Sequence, residues 1–156
     1  MKVVALVPGG IGDQILFFPT LDRLKQSYPQ ADIDVIVEPR SKGAYRVNQS
    51  VHEVMVFDFK DRNSPADWGN LLGVLRDREY DIALSLGQRW AVGLLLWLTG
   101  IPTRISYDGP GALFLTHAIR LNTEQYAAQM YYDLLQGLNI NSPCPPLSFT
   151  VPKPDL

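Results

Sequence analysis

Short aliphatic runs rich in β-branched residues recur along the chain, and between them apolar residues fall at helical spacing. No other feature constrains the fold as much. Val3 to Val7 is an uninterrupted apolar run closed by Pro8-Gly9-Gly10, the pattern of a strand buried on both faces. Ile33 to Val37, Val54 to Phe59, Ile82 to Leu86 and Arg104 to Tyr107 read as further strands. Ile15, Leu16, Leu21 and Leu24 give a first helix its apolar stripe, and Pro19 within it predicts a kink or a restart. A second helix is expected from Ala66 to Arg78, with Trp68, Leu71, Leu72 and Leu75 on one face. A third, Trp90 to Leu98, is apolar nearly all round, which predicts burial. The last is expected to begin near Asn122, with Gln125 as a capping-box partner and Tyr126, Met130, Leu134 and Leu138 at i+4 intervals. Strands and helices alternating over short connections predict an α/β domain. Its core is an open parallel β-sheet, Rossmann-like or flavodoxin-like, covered by helices on both faces and joined by right-handed crossovers.

A chain of 156 residues holds one such domain and no second full core. The domain is expected over residues 1–141. Five of the 12 prolines crowd between Pro143 and Pro154, so residues 142–156 read as an interdomain linker, with the molecule expected to continue past Leu156. Fourteen Lys plus Arg against 16 Asp plus Glu give a net charge of −2, which argues against a nucleic-acid partner. Cys144 stands alone and excludes a disulfide within the chain; with only His52 and His117 beside it, no Cys/His metal signature exists. A cytoplasmic setting follows as the default. The opening apolar run is too short for a signal peptide, and Trp90 to Leu98 has about half of the ~20 residues needed to span a bilayer.

Pro8-Gly9-Gly10-Ile11-Gly12-Asp13 joins the first strand to the first helix, where a doubly wound sheet presents its ligand groups. The glycines let a ligand approach backbone N–H groups at a helix N-terminus. The dinucleotide fingerprint fails for want of a third glycine, and no Gly-Lys-Ser/Thr completes a Walker A loop. Asp13 supports two readings: a general base, ionised at the helix N-terminus, or a first-turn aspartate that only satisfies the backbone. The loop after the fourth strand should flank the same crevice, bringing Gly87, Gln88 and Arg89 near Asp13. Arg40 and Lys42 after strand two, and Lys60 and Arg62 after strand three, are either ligand-facing cations or solvated surface. Trp68, Trp97 and the Tyr131-Tyr132 pair read as packing aromatics.

The segment Gly10-Ile11-Gly12-Asp13-Gln14-Ile15-Leu16-Phe17-Phe18-Pro19-Thr20-Leu21, followed by Leu24, Tyr28-Pro29 and Ala31, resembles the opening of glycosyltransferase family 9. Tyr80-Asp81-Ile82-Ala83-Leu84, Gly100-Ile101-Pro102 with Arg104-Ile105-Ser106-Tyr107, and Tyr132-Asp133-Leu134-Leu135 resemble later parts of that family's N-terminal half. The family includes the ADP-heptose:lipopolysaccharide heptosyltransferases. The resemblance implies the acceptor-binding domain of a two-domain, GT-B, metal-independent, inverting glycosyltransferase, with Asp13 as catalytic base. It also turns the glycine loop, with Gly10 and Gly12, toward the acceptor, and Arg40, Lys60, Arg62, Gln88 and Arg89 are expected as further acceptor contacts because they follow the carboxyl ends of strands. No cofactor is implied: the nucleotide-sugar donor, ADP-heptose or similar, would be bound by a C-terminal domain, so this chain alone would be inactive. The implied acceptor is lipopolysaccharide or another cell-envelope glycan, reached in the cytoplasm with peripheral contact at the inner membrane surface. The rival readings are a stand-alone small-ligand-binding or regulatory module without catalysis and, less well matched because of the broken fingerprint, a nucleotide-dependent oxidoreductase.

Overall fold

The computed structural model describes residues 1–58, 64–87, 90–109, 112–122, 124–125, 127–140 and 144. Strands β1 (Lys2–Val7), β2 (Asp32–Val37), β3 (Glu53–Val56), β4 (Ile82–Ser85), β5 (Thr103–Tyr107) and β6 (His117–Ile119) form one parallel sheet in the order β3-β2-β1-β4-β5-β6. Of the two orders expected, this is the Rossmann one. The order reverses beside β1, which opens a crevice at the carboxyl ends of β1 and β4.

Helices α1 (Ile11–Ser27) and α4 (Ala127–Tyr132) cover one face, where Phe17, Leu21, Leu24 and Tyr132 meet Val3, Ala5 and Val7. Helices α2 (Pro65–Asp77) and α3 (Trp90–Thr99) cover the other, where Leu71, Leu75, Val92 and Leu96 meet Val4 and Leu6. Val3 to Val7 are fully buried, which explains an apolar run without alternation. Each such aliphatic side chain contributes about 1.5–3 kcal/mol of burial.

Several elements differ from the sequence-based expectation. Helix α1 runs as one element through Pro19, which is buried within it, so of the kink or restart expected there the restart does not occur. Helix α3 is not buried all round: Val92, Leu95 and Leu96 face the sheet, while Trp90, Trp97 and Leu98 are 58%, 52% and 43% exposed. The helix covers a single sheet face, so its far side is only partly covered, with Trp97 against Phe114. The last helix begins five residues after Asn122. Asn122 Oδ1 instead accepts from the Glu124 N–H (3.1 Å) in a local turn, and the Gln125 side chain donates to Asp133 Oδ2 (2.6 Å) rather than capping the helix. After α4 the chain tightens into a 3₁₀ turn, Asp133–Leu138, ended by Asn139 in the left-handed region (φ 60°). A 3₁₀ segment, Pro39–Val47, and the short strand β6 were not foreseen. Strand β3 ends at Val56, and Phe59 lies outside the described residues, as does the proline-rich segment 142–156 apart from Cys144.

Gly137 holds the 3₁₀ turn against β5. A Cβ there would stand 2.8 to 3.0 Å from three side-chain atoms of Ile105. Gly137→Ala is expected to destabilise the fold by about 1–3 kcal/mol, the usual cost of overpacking, seen as a lower midpoint in urea unfolding.

Candidate active site at the carboxyl end of β1

The loop from Pro8 to Gly12 turns β1 into α1, and Asp13 lies half-buried in the helix's first turn. Its Oδ2 accepts from the Gly10 N–H (3.1 Å), satisfying one of the free N–H groups at the helix start. Its Oδ1 accepts from the Tyr131 hydroxyl (3.0 Å), delivered by α4. Gly9 makes this geometry possible: its φ is +118°, and a Cβ there would lie 2.3 Å from Asp13 Oδ2. At Gly10 and Gly12 a Cβ would meet open space among the described residues.

The loop is held from below. The Gln14 side-chain amide, fully buried, donates to the Val7 carbonyl (2.9 Å), and the Tyr45 hydroxyl donates to Gln14 Oε1. Ser41 Oγ donates to the Gly9 carbonyl (2.7 Å). Thus the 3₁₀ segment after β2 buttresses the glycine turn. Gly87, after β4, lies beside Pro8, a Cβ on it falling 3.7 Å from the Pro8 ring. The two loops flank one crevice, as the strand order requires.

Arg40 is 60% exposed at its side chain, and its Nε and Nη2 donate to Glu38 Oε2 (3.1 and 2.9 Å). Glu38 is buried at the carboxyl end of β2, and its Oε1 has no hydrogen-bond partner among the described residues. Arg40 is therefore already partly neutralised. Lys60, Arg62, Gln88 and Arg89 lie outside the described residues. Trp68 packs its ring on Phe57 (5.1 Å between centroids) and Trp97 lies 6.0 Å from Phe114, in keeping with packing roles. Tyr131 departs from that expectation. Burial first, and then the Asp13 carboxylate, push its phenol up to about 12, so it stays a neutral donor to Asp13 at working pH. No spacing signal could have paired residues 118 positions apart.

A second polar cluster stands at the opposite, amino end of the strands. Buried Asp34 accepts from the Tyr80 hydroxyl (2.6 Å) and is bonded to His52 Nδ1 (3.0 Å), while Arg78 lies 3.6 Å from Asp34 and pairs with Glu53. Asp34, His52 and Glu53 converge as metal ligands could, but the Arg78 guanidinium already supplies the positive charge there. The Asp34 hydrogen bond, with the charges of Asp32 and Asp34 behind it, holds the His52 imidazolium above its ordinary titration range. A group raised in the folded state adds stability below its ordinary value and loses it as pH rises through the raised one. As pH rises from the ordinary histidine range through the raised one, the wild type should therefore lose melting temperature relative to His52→Ala, as followed by circular dichroism.

No family model matches the chain. It is 32% identical over 115 residues to the photosynthetic NDH subunit of subcomplex B 1 of Arabidopsis thaliana, a match covering 70% of this chain and 24% of that one. It is 28% identical over 102 residues to lipopolysaccharide heptosyltransferase 3 of Escherichia coli, covering 62% of this chain and 29% of that one. Its fold matches the crystal structure of a glycosyltransferase family 9 protein from Veillonella parvula with a TM-score of 0.81 at 23% identity, over 98% of this chain and 46% of that one. The chain thus spans less than a third of these curated relatives and about half of the solved structure. The resemblance to glycosyltransferase family 9 is borne out: the open parallel sheet matches the fold of a solved member of that family, and the sequence is similar to a lipopolysaccharide heptosyltransferase.

Proposed function

We propose that this chain, a relative of the family 9 heptosyltransferases, is the acceptor-binding half of an inverting glycosyltransferase acting on a cell-envelope glycan. The observation that carries the reading is Asp13, held at both carboxylate oxygens in a glycine turn at the sheet's switch point. With one hydrogen bond per oxygen, lone pairs remain to take a proton. The acceptor hydroxyl gives its proton to the Asp13 carboxylate as its oxygen attacks the anomeric carbon. The bond from that carbon to the nucleoside diphosphate breaks, the electron pair leaving with the phosphate oxygen, and the configuration inverts. The donor nucleotide-sugar, ADP-heptose by likeness to the relatives, is held by a second domain. Lys60, Arg62 and Arg89, which come after β3 and β4 in the sequence, are assigned to anionic groups of the acceptor, with Arg40 limited by its pairing to Glu38.

The test is transfer from ADP-heptose to lipopolysaccharide core oligosaccharide, by this chain alone and joined to the donor-binding half of a heptosyltransferase. The joined protein should form product of inverted anomeric configuration, and the chain alone none. Retained configuration would overturn the assignment.

The identity to an NDH subunit supports a second reading, in which the same crevice serves a non-catalytic module within an assembly. On that reading the Asp13 carboxylate is only part of the loop's packing. Loss of transfer on removing it, argued below, separates the two.

A further inference from the structure

We infer that Tyr131 is a positioning residue for the Asp13 carboxylate; this rests on the reading of Asp13 as the base. A carboxylate fixed at one oxygen still swings about its terminal torsion, which is broad for aspartate. Asp13 is fixed at both, Oδ2 by the Gly10 N–H and Oδ1 by the Tyr131 hydroxyl. The second hold comes from a separate helix that is itself anchored three ways. The Tyr107 hydroxyl donates to the Met130 carbonyl (2.8 Å), Arg23 Nε donates to the Tyr132 hydroxyl (3.2 Å), and the Tyr131 ring meets Phe17 edge-on at 6.3 Å. The phenol hydroxyl therefore arrives at a fixed point over the glycine turn. Its proton stays in place at working pH, so it can donate to the Asp13 carboxylate. Tyr131 takes no proton from the substrate and acts through Asp13 alone.

Two experiments test this. In the 156-residue chain, tyrosine labelled with ¹³C reports the Tyr131 titration by NMR. Asp13→Asn should draw it down from about 12 toward the ordinary phenol value, because the anion that disfavours phenolate is gone, while burial keeps it above that value. An unmoved titration overturns the contact. In the joined, transfer-competent protein, Tyr131→Phe should lower kcat about tenfold while leaving KM for donor and acceptor and the melting temperature near wild type. In the Asp13→Asn background it should add nothing further, a non-additivity that a merely structural tie would not produce. Full turnover in Tyr131→Phe beside a crippled Asp13→Asn overturns this inference and spares the base reading. Full turnover in Asp13→Asn, or no transfer by the wild type, overturns the base reading and the inference with it.

Discussion

Asp13→Asn should cut sugar transfer by the joined protein at least ~10²-fold, the scale on which an enzyme loses a general base. The substitution is chosen to spare the fold. An amide oxygen can still accept from the Gly10 N–H, so the tie at the start of α1 survives, and the side chain keeps its size in the half-buried turn. What disappears is the ability to take a proton. Turnover should fall while the unfolding midpoint stays within a narrow margin of wild type. A variant with wild-type turnover would mean that Asp13 only ties down the helix start, as the non-catalytic reading requires.

Gly9→Ala should be nearly as damaging, by a different route. A φ of +118° is a region that residues with a Cβ rarely occupy, and forcing one there costs about 1–3 kcal/mol. The new methyl would also stand 2.3 Å from Asp13 Oδ2, so the carboxylate or the turn must move. A displacement near 1 Å at a catalytic group costs on the order of 10²-fold in rate. Stability and turnover should therefore fall together. Gly12→Ala, where a Cβ meets open space, should leave stability nearly unchanged and serves as the control. Equal effects at the two positions would contradict the assigned role of Gly9.

How much of this was legible in the sequence follows from which forces were local. Strand β1 was readable because burial on both faces demands an unbroken apolar run, β2 and β4 because aliphatic residues dominate theirs, and the Gly-Asp turn because strand, glycines and helix adjoin in the chain. Strand β6, three residues of which His117 and Ala118 are exposed, carries no such pattern. Pro19 does not restart α1, because the ring's local cost is offset by the packed face of the helix in which it is buried. The buttress of Ser41, Tyr45 and Gln14 beneath the loop, and the Tyr131 contact above it, depend on side chains brought together only by the sheet order. Tyr131 looked like packing because its ring does pack, on Phe17, and only its hydroxyl reveals the second role.

The central claim is that this chain holds the acceptor. Backbone amide shifts of the 156-residue chain, followed by NMR during titration with lipopolysaccharide core oligosaccharide and separately with ADP-heptose, test it most directly. The oligosaccharide should move the amides of Gly9, Gly10, Gly12 and Asp13 in a saturable way, and ADP-heptose should leave them in place. Saturable shifts at these amides with ADP-heptose, and none with the oligosaccharide, would contradict the account.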